Sequence, residues 1–169
     1  MKVVVCTGFK PSKGSPIWDL VLVYAQRFSQ DPKNSLQFLS SRSDDPSQSL
    51  KFFQDTLKQS HLTHKIHLIV LDEKGKKMNS VEFSQHLEQK KEVGAQTLLI
   101  WVGGSYGIPA IDLTGISCQP ISLSDMTFPH EMATLLILEQ LYRASLISKK
   151  HPYHHAEVSS FAQHHLIRS

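Results

Sequence analysis

Three short runs of consecutive hydrophobic residues most constrain what this chain can fold into. They are KVVVC at residues 2–6, HKIHLIVLD at 64–72 and TLLIWV at 97–102. A strand that packs on one face alternates apolar and polar residues, whereas a strand covered on both faces is apolar throughout. Segments with helical periodicity separate these runs. This order predicts an α/β fold in which a mostly parallel sheet carries helices on both faces.

Weaker signals complete the predicted order of elements. Short strand patterns occupy residues 35–40 and 119–124. Ser15 and Ser80 are predicted to cap two of the helices, and Gly94 is predicted to end the second of these. The helical patterns, in chain order, cover residues 15–28, 50–59, 80–94 and 128–150.

The bulk properties of the chain exclude few functions. Its 169 residues favour a single domain over residues 1–155, with residues 156–169 as an extension that is a weak helix candidate or a mobile tail. The formal net charge of +3 neither demands nor opposes a nucleic-acid partner. The start of the chain lacks a signal-peptide pattern, and no apolar run approaches the ~20 residues that span a membrane. We therefore expect a cytoplasmic protein that does not insert into membranes.

Two places in the chain carry residue types that suit a ligand. Gly103 and Gly104 follow a predicted buried strand, where open α/β sheets bind ligands. Their spacing is not that of a dinucleotide fingerprint, so a tight turn fits the glycines as well as a binding loop does. His130 lies in the first turn of the last predicted helix. Taken alone, it reads as a surface histidine more readily than as a catalytic one.

The last helix and the tail leave several interpretations open. Four apolar residues in succession, 135–138, suit either a homodimer interface or a central core helix. The tail HPYHH at residues 151–155 suits a metal site, a nucleic-acid contact or a solvated end. Pro152 and the absence of a nearby cysteine disfavour zinc. No metal is therefore expected.

Five segments, taken together in this order and at these intervals, identify a protein family more specifically than any one of them does alone. On these segments the chain resembles the RlmH family of SPOUT methyltransferases. The resemblance runs from VVVCTG at residue 3 to residue 155 and is weakest over residues 29–64. The segments are VLDEKGK at 70–76, LLIWVGGSYG at 98–107, LSDMTFPHEM at 123–132, EQLYRA at 139–144 and HPYHH at 151–155.

The resemblance implies a fold, an activity and a cofactor. It implies a C-terminal trefoil knot, a homodimer, and methylation of N3 of a pseudouridine in a stem-loop of bacterial 23S ribosomal RNA, within the ribosome. S-adenosylmethionine would lie in the knot, held largely by backbone groups. Carried over by position, the residues that would hold it are Leu71, Gly103, Gly104, Leu123, Ser124, Asp125, Met126, Thr127 and Phe128.

The resemblance also places the tail beside the methyl group of the cofactor, across the dimer interface. Because the N3 proton must leave, His154 is our candidate for the general base. Tyr153 is expected to hydrogen-bond to or stack on the target base, and His130 is the alternative catalytic histidine. The predicted RNA contacts are Arg143, Lys149, Lys150 and His155.

The chain departs from the family pattern at two places. Thr134 stands where the family has arginine, and the tail reads Tyr153-His154-His155 where the family ends in YHR or YHK. Two other functions stay open on these grounds. One is an RNA- or ribosome-binding protein that has lost methyl transfer, and the other is a metal-binding α/β protein.

Overall fold

The computed structural model describes residues 1–12, 14–63, 65–103, 113 and 115–149, with backbone alone for residues 60–63. Within this part, no helix is both long and apolar enough to cross a membrane. The elements are β1 (Lys2–Thr7), α1 (Pro16–Ser29), β2 (Ser35–Ser40), α2 (Pro46–Thr63), β3 (Ile66–Lys77), α3 (Ser80–Glu92), β4 (Thr97–Val102), β5 (Ser117–Ser122) and α4 (His130–Ser148).

The five strands form one parallel sheet in the order β2-β1-β4-β3-β5. The register places Ile100 of β4 between Val5 of β1 and Ile69 of β3, so three apolar residues lie side by side at the centre. This confirms the predicted parallel α/β fold. Because every strand points the same way, all carboxyl ends meet at one edge of the sheet.

Helices cover both faces of the sheet, as predicted. Val3 and Val5 face a core built with α1, α3 and α4, whereas Val4 and Cys6 face a second core built with α2. In the second core Trp101 stacks on a phenylalanine of α2, with 4.1 Å between ring centroids. The unbroken apolar runs of the sequence are therefore explained by burial on both sides.

The helix starts follow the sequence with two corrections. The helix predicted over residues 50–59 begins earlier, at Pro46, and ends at Thr63. Ser15 caps α1, accepting a hydrogen bond from the backbone N–H of Trp18 at 3.3 Å. The cap of α3 is Asn79 and not Ser80 as predicted, because Asn79 and Glu82 form a reciprocal capping box. Ser80 begins the helix instead, and Gly94 follows its end at a φ of 90°.

Residues 73–77, EKGKK, have the composition of a turn that would end the third strand, and this expectation is wrong in part. The chain leaves the sheet after Leu71 and rejoins it at Lys76, and both residues pair with Ile121 of β5. A Cβ on Gly75 would lie 2.6 Å from the backbone of Ile121, so glycine permits this close return. The strand thus continues beyond a four-residue excursion, residues 72–75. The predicted fifth strand also starts earlier, at Ser117.

Candidate active site

A cavity of about 690 Å³ opens at the carboxyl edge of the sheet, between the ends of β3, β4 and β5 and the start of α4. Its volume lies within the ~300–1,000 Å³ of typical small-molecule sites. Of the predicted cofactor residues, seven line it: Leu71, Gly103, Leu123, Ser124, Met126, Thr127 and Phe128. The structure therefore gathers residues from three separate sequence segments around one space.

The lining of this cavity suits a nucleoside with a charged side arm. Apolar walls come from Leu71, Val102, Ile121, Leu123 and Phe128. Hydroxyl and charged groups lie between these apolar residues. Such a mixed lining suits a ligand that combines a flat ring, a ribose and an amino acid, as S-adenosylmethionine does. The polar side chains are those of Asp72, Glu73, Lys74, Ser122, Ser124, Thr127 and His130.

Residues 123–128, which we call the β5–α4 loop, hold their shape through local hydrogen bonds. The Ser122 hydroxyl donates to the Ser124 carbonyl at 2.8 Å, and the Met126 N–H donates to the Ser124 hydroxyl at 3.0 Å. Asp125 pairs with Lys77 of β3 at the exposed surface and does not line the cavity. The backbone of the loop thus shapes the wall, while Asp125 links the loop to the neighbouring strand.

His130 lies at the mouth of the cavity, at the first residue of α4. Its ring rests on that of Phe9, with 4.0 Å between centroids and a 40° tilt. Thr134, one turn further on, is fully buried, and its hydroxyl donates to the His130 carbonyl at 2.8 Å. Position 134 therefore faces the interior of this chain. An arginine there would have to bury its guanidinium, so threonine suits the packing around it.

Glu131 joins this region to the segment that follows β1. Its two carboxylate oxygens accept hydrogen bonds from the Ser12 N–H at 2.9 Å and the Ser15 hydroxyl at 2.7 Å. These donors, the hydroxyl first, hold the pKa of Glu131 below its usual range. Glu131 was not predicted as a site residue, since its partners lie more than a hundred residues away.

The acidic and basic residues of the cavity wall were also missed. Asp72, Glu73 and Lys74 form the excursion of β3, and the Lys74 N–H donates to the Asp72 carboxylate at 2.9 Å. They stand within the segment VLDEKGK that carries the family resemblance, of which Leu71 alone was assigned. The quoted segment was therefore the signal that could have found them.

Two predicted RNA contacts lie at the other end of α4. Arg143 donates to Glu139 through Nε at 3.0 Å, and Lys149 pairs with Asp31 at 2.6 Å. The hydrogen bond from Lys149 holds the pKa of Asp31 below its usual range. At ~1.5 Å rise per residue, Lys149 stands about 28 Å from His130 along the helix. Within one chain, these cations and the cavity are thus far apart.

A second cavity, of about 790 Å³, lies on the other side of the β5–α4 loop. It extends between the start of α3 and the middle of α4, and it shares five lining residues with the first cavity: Ile121, Ser122, Leu123, Ser124 and Phe128. The loop therefore forms a partition between two spaces.

A pair of histidines lies near the opposite edge of the sheet. His67 Nε2 is 2.9 Å from His86 Nε2, and His67 Nδ1 is 2.9 Å from the Ser117 hydroxyl. Burial, with the nearby positive groups of His86 and Lys90, lowers the pKa of His67 to about 4. Burial also lowers the pKa of His86. Among the described residues, no three His, Cys, Asp or Glu side chains are grouped to hold a metal.

Several predictions fall outside the described residues. They are the roles of Gly104, Lys150, Tyr153, His154 and His155, the extension over residues 156–169 and the path of the knot. All of these stay predictions.

Comparison with known proteins adds a family and its relatives. The profile described as "Predicted SPOUT methyltransferase" matches residues 1–154. Proteins named "Ribosomal RNA large subunit methyltransferase H" are similar to this chain. The one from Flavobacterium psychrophilum is 46% identical over 96 residues, 57% of this chain and 60% of its own length. The one from Maridesulfovibrio salexigens is 48% identical over 88 residues, covering 52% of this chain and 56% of the relative.

A longer match has lower identity. The protein of the same name from Synechococcus sp. is 35% identical over 121 residues, 72% of this chain and 78% of its own length. The solved structure of a probable methylase family protein from Haemophilus influenzae has a TM-score of 0.50 and 11% identity, covering 88% of this chain and 66% of that chain. That structure supports the fold alone. The chain spans 60% and 56% of the first two relatives in these alignments.

Proposed function

The chain belongs to the SPOUT methyltransferase family, and we propose that it transfers a methyl group from S-adenosylmethionine to N3 of a pseudouridine in 23S ribosomal RNA. The family name implies a methyl donor, and the relatives' names specify large-subunit ribosomal RNA. On this proposal the protein works in the cytoplasm on the ribosome. The chemistry of N3 rests on the family resemblance of the sequence.

The observation that carries the proposal is the cavity at the carboxyl edge of the sheet. Residues assigned to the cofactor by sequence position come from the ends of β3, β4 and β5, and they line one space of suitable volume. Leu71, Leu123 and Phe128 would hold the adenine of the cofactor, and main chain at Gly103 would close one side of its site. Carboxylates of the β3 excursion, Asp72 and Glu73, are suited to ribose hydroxyls and to an ammonium group.

When bound, S-adenosylmethionine supplies a methyl group on a positively charged sulfur. The residues of the protein must then present N3 of the base to that methyl group and accept the N3 proton. A neutral imidazole suits this task near neutral pH. His154 is our proposed base, with Tyr153 holding the nucleobase, and His130 at the cavity mouth is the alternative.

The reach of the tail supports a shared site. His154 lies five residues after Lys149, and even a fully extended chain covers no more than ~18 Å over this distance. The cavity mouth at His130 lies about 28 Å from Lys149 along α4. His154 of the same chain would therefore stop about 10 Å short of His130, even if the tail ran straight back along the helix. We propose that the tail of one subunit completes the cavity of its partner in a homodimer.

Half-exposed apolar residues on the outer helix layer support the same assembly. Of the four apolar residues at 135–138, Ile137 and Leu138 are buried, but Leu135 and Leu136 are only partly covered. On α1, which packs beside α4, Leu20 is 49% exposed and Val23 is 41% exposed. Burying such side chains against a second copy removes apolar area from water.

The deciding experiment for the activity uses undermethylated ribosomes. They are incubated with the protein and methyl-labelled S-adenosylmethionine, and the modified nucleotide is mapped. We expect label at one pseudouridine of 23S RNA. Tight binding of ribosomes without transfer would contradict the enzyme and favour the RNA-binding alternative.

Mixed subunits test the shared site. H154A carries an intact cavity with a defective tail, and G103V carries the reverse. In a random mixture half of the dimers are mixed, and each has one complete site if the site is shared. Activity should then recover to about a quarter of the wild-type level. If activity does not recover although mass measurements show that the subunits have exchanged, the shared site is contradicted.

A further inference from the structure

The carboxylate of Glu131 joins two segments that are far apart in the chain. One oxygen accepts the Ser12 N–H and the other accepts the Ser15 hydroxyl. The same Ser15 hydroxyl oxygen accepts the Trp18 N–H at the start of α1. Hydrogen bonds to an ionised group are about twice as strong as neutral ones. Glu131 therefore fixes the end of the β1–α1 loop, residues 8–15, against the start of α4.

The other end of this loop supports the ring of His130. Phe9 is 1% exposed, and the Thr7 hydroxyl donates to its carbonyl at 3.1 Å. Its ring lies 4.0 Å from that of His130, the residue next to Glu131. The loop thus packs against His130 at one end and bonds to Glu131 at the other.

We infer that Glu131 is a positioning residue, which holds the β1–α1 loop and α4 together so that the imidazole of His130 stays at the mouth of the cofactor cavity. The inference rests on the proposed methyl transfer and on a role for His130 in it, as the alternative base or as part of the cavity wall, and it deepens that proposal. Glu131 does not line the cavity itself, and His130 does. Glu131 would therefore act through its neighbour and through the loop, without touching the cofactor or the RNA.

The size of the effect follows from the geometry of group transfer. A displacement of about 1 Å in a group that orients the reactants can cost ~10²-fold in rate. Loss of Glu131 leaves Phe9 anchored through Thr7, so we expect partial displacement of His130. E131A should lower kcat on ribosomes by about tenfold, while cofactor affinity measured by calorimetry stays within about twofold.

Two further variants separate positioning from simple stabilisation. E131Q keeps an oxygen that accepts the Ser12 N–H, so it should restore most of the kcat that E131A loses. S15G removes the other donor while glycine remains a tolerated N-cap, so it should lower kcat in the same direction by a smaller factor. E88A is the matched control, because Glu88 is an exposed carboxylate on α3 that pairs with Lys91. It should keep full activity.

Proton NMR of the His130 ring gives a readout without activity. The Phe9 ring shields protons held above its face, so the His130 ring protons should lie upfield, and they are identified by their absence in H130Q. In E131A they should move toward the positions of an exposed histidine, and in E131Q they should stay. If E131A fails to fold, S15G tests the positioning role instead, through the shift of its His130 signals and its kcat.

The outcomes separate this inference from the proposed function. If the wild-type protein transfers no methyl group, the proposed function fails. If it does transfer, and E131A keeps the wild-type kcat or the wild-type His130 signals, the positioning role is overturned. A loss of kcat in E131A that E131Q does not recover also overturns it, because the carboxylate charge would then act in another way.

Discussion

The two edges of the sheet both carry histidines, and they differ in what surrounds them. At the amino edge His67 is buried, and its two ring nitrogens meet Ser117 and His86. At the carboxyl edge His130 is partly exposed at the mouth of a cavity, with one ring face on Phe9. Protein groups contact both ring nitrogens of His67, whereas the ring of His130 has an edge available to a ligand. The difference shows that residue type alone does not mark a site, since a site also needs space beside the group.

The largest expected effect lies at the carboxyl edge, where H154A should lower turnover on ribosomes by ~10²–10⁴-fold, the range typical of general-base catalysis. Cofactor affinity should barely change, because the tail contributes to the reaction and not to the adenine site. Raising the pH should rescue the variant in part, since more of the pseudouridine ionises unaided. Rates are measured with labelled cofactor from pH 6 to 9. Near-full activity at neutral pH would shift the base to His130 or water.

The next effect concerns the cofactor cavity. G103V places a branched side chain where main chain is proposed to meet the cofactor. Overpacking of this kind costs ~1–3 kcal/mol, so the dissociation constant should rise about 5- to 150-fold. Calorimetry on the folded variant measures the dissociation constant, and urea titration of the same variant shows how much stability it has lost. Equal affinity in wild type and G103V would place the cofactor elsewhere.

The amino edge should respond to pH through stability. The pKa of His67 is about 4 in the folded chain and ~6.5 unfolded, so the unfolded chain binds more protons between these values. The free energy of unfolding should therefore fall as pH drops below about 6.5, by about 2 kcal/mol between pH 7 and pH 5. Urea titrations measure this fall. H67F should remove much of the dependence without altering cofactor affinity, and an unchanged pH slope in H67F would contradict the assignment.

The smallest effect is expected from the ion pair between Lys77 and Asp125. Both side chains are largely exposed, and such pairs contribute ~0–1 kcal/mol. K77M should therefore change the free energy of unfolding by less than about 0.5 kcal/mol at moderate salt. Chemical denaturation of K77M and wild type in parallel tests this. A loss above 2 kcal/mol would mean that the pair holds the β5–α4 loop more strongly than its exposure indicates.

The fold was largely predictable because burial on both faces of a strand leaves a direct mark on the sequence. KVVVC and TLLIWV could hardly serve as anything but central strands. Helix boundaries were less certain, as Asn79 shows, because two adjacent residues could both cap. The excursion of β3 was read as a turn, since nothing local reveals that Gly75 returns to the backbone of Ile121.

The candidate site was predictable where the family resemblance reached and unpredictable where contacts are long-range. Leu71, Gly103 and most of residues 123–128 came from the resemblance and line one cavity. The hydrogen bond between Glu131 and Ser12 joins residues 119 positions apart, and no periodicity of the sequence encodes such a contact. The pairing of Arg143 with Glu139 could be predicted because the two residues are four apart on one helix. The pairing of Lys149 with Asp31 could not, because these residues are far apart in the sequence.

The excursion of β3 has a consequence for how the cavity wall can vary. Since Leu71 and Lys76 both pair with Ile121, the excursion starts and ends at a single rung of the sheet. Residues inserted between Leu71 and Lys76 would lengthen the cavity wall, while every residue of β3 before and after them keeps its partner in β5. Doubling the length of such a loop costs only ~0.6 kcal/mol in chain entropy. The wall could therefore gain or lose residues over generations, and the ligand it accepts could change, while the sheet beneath stays as it is.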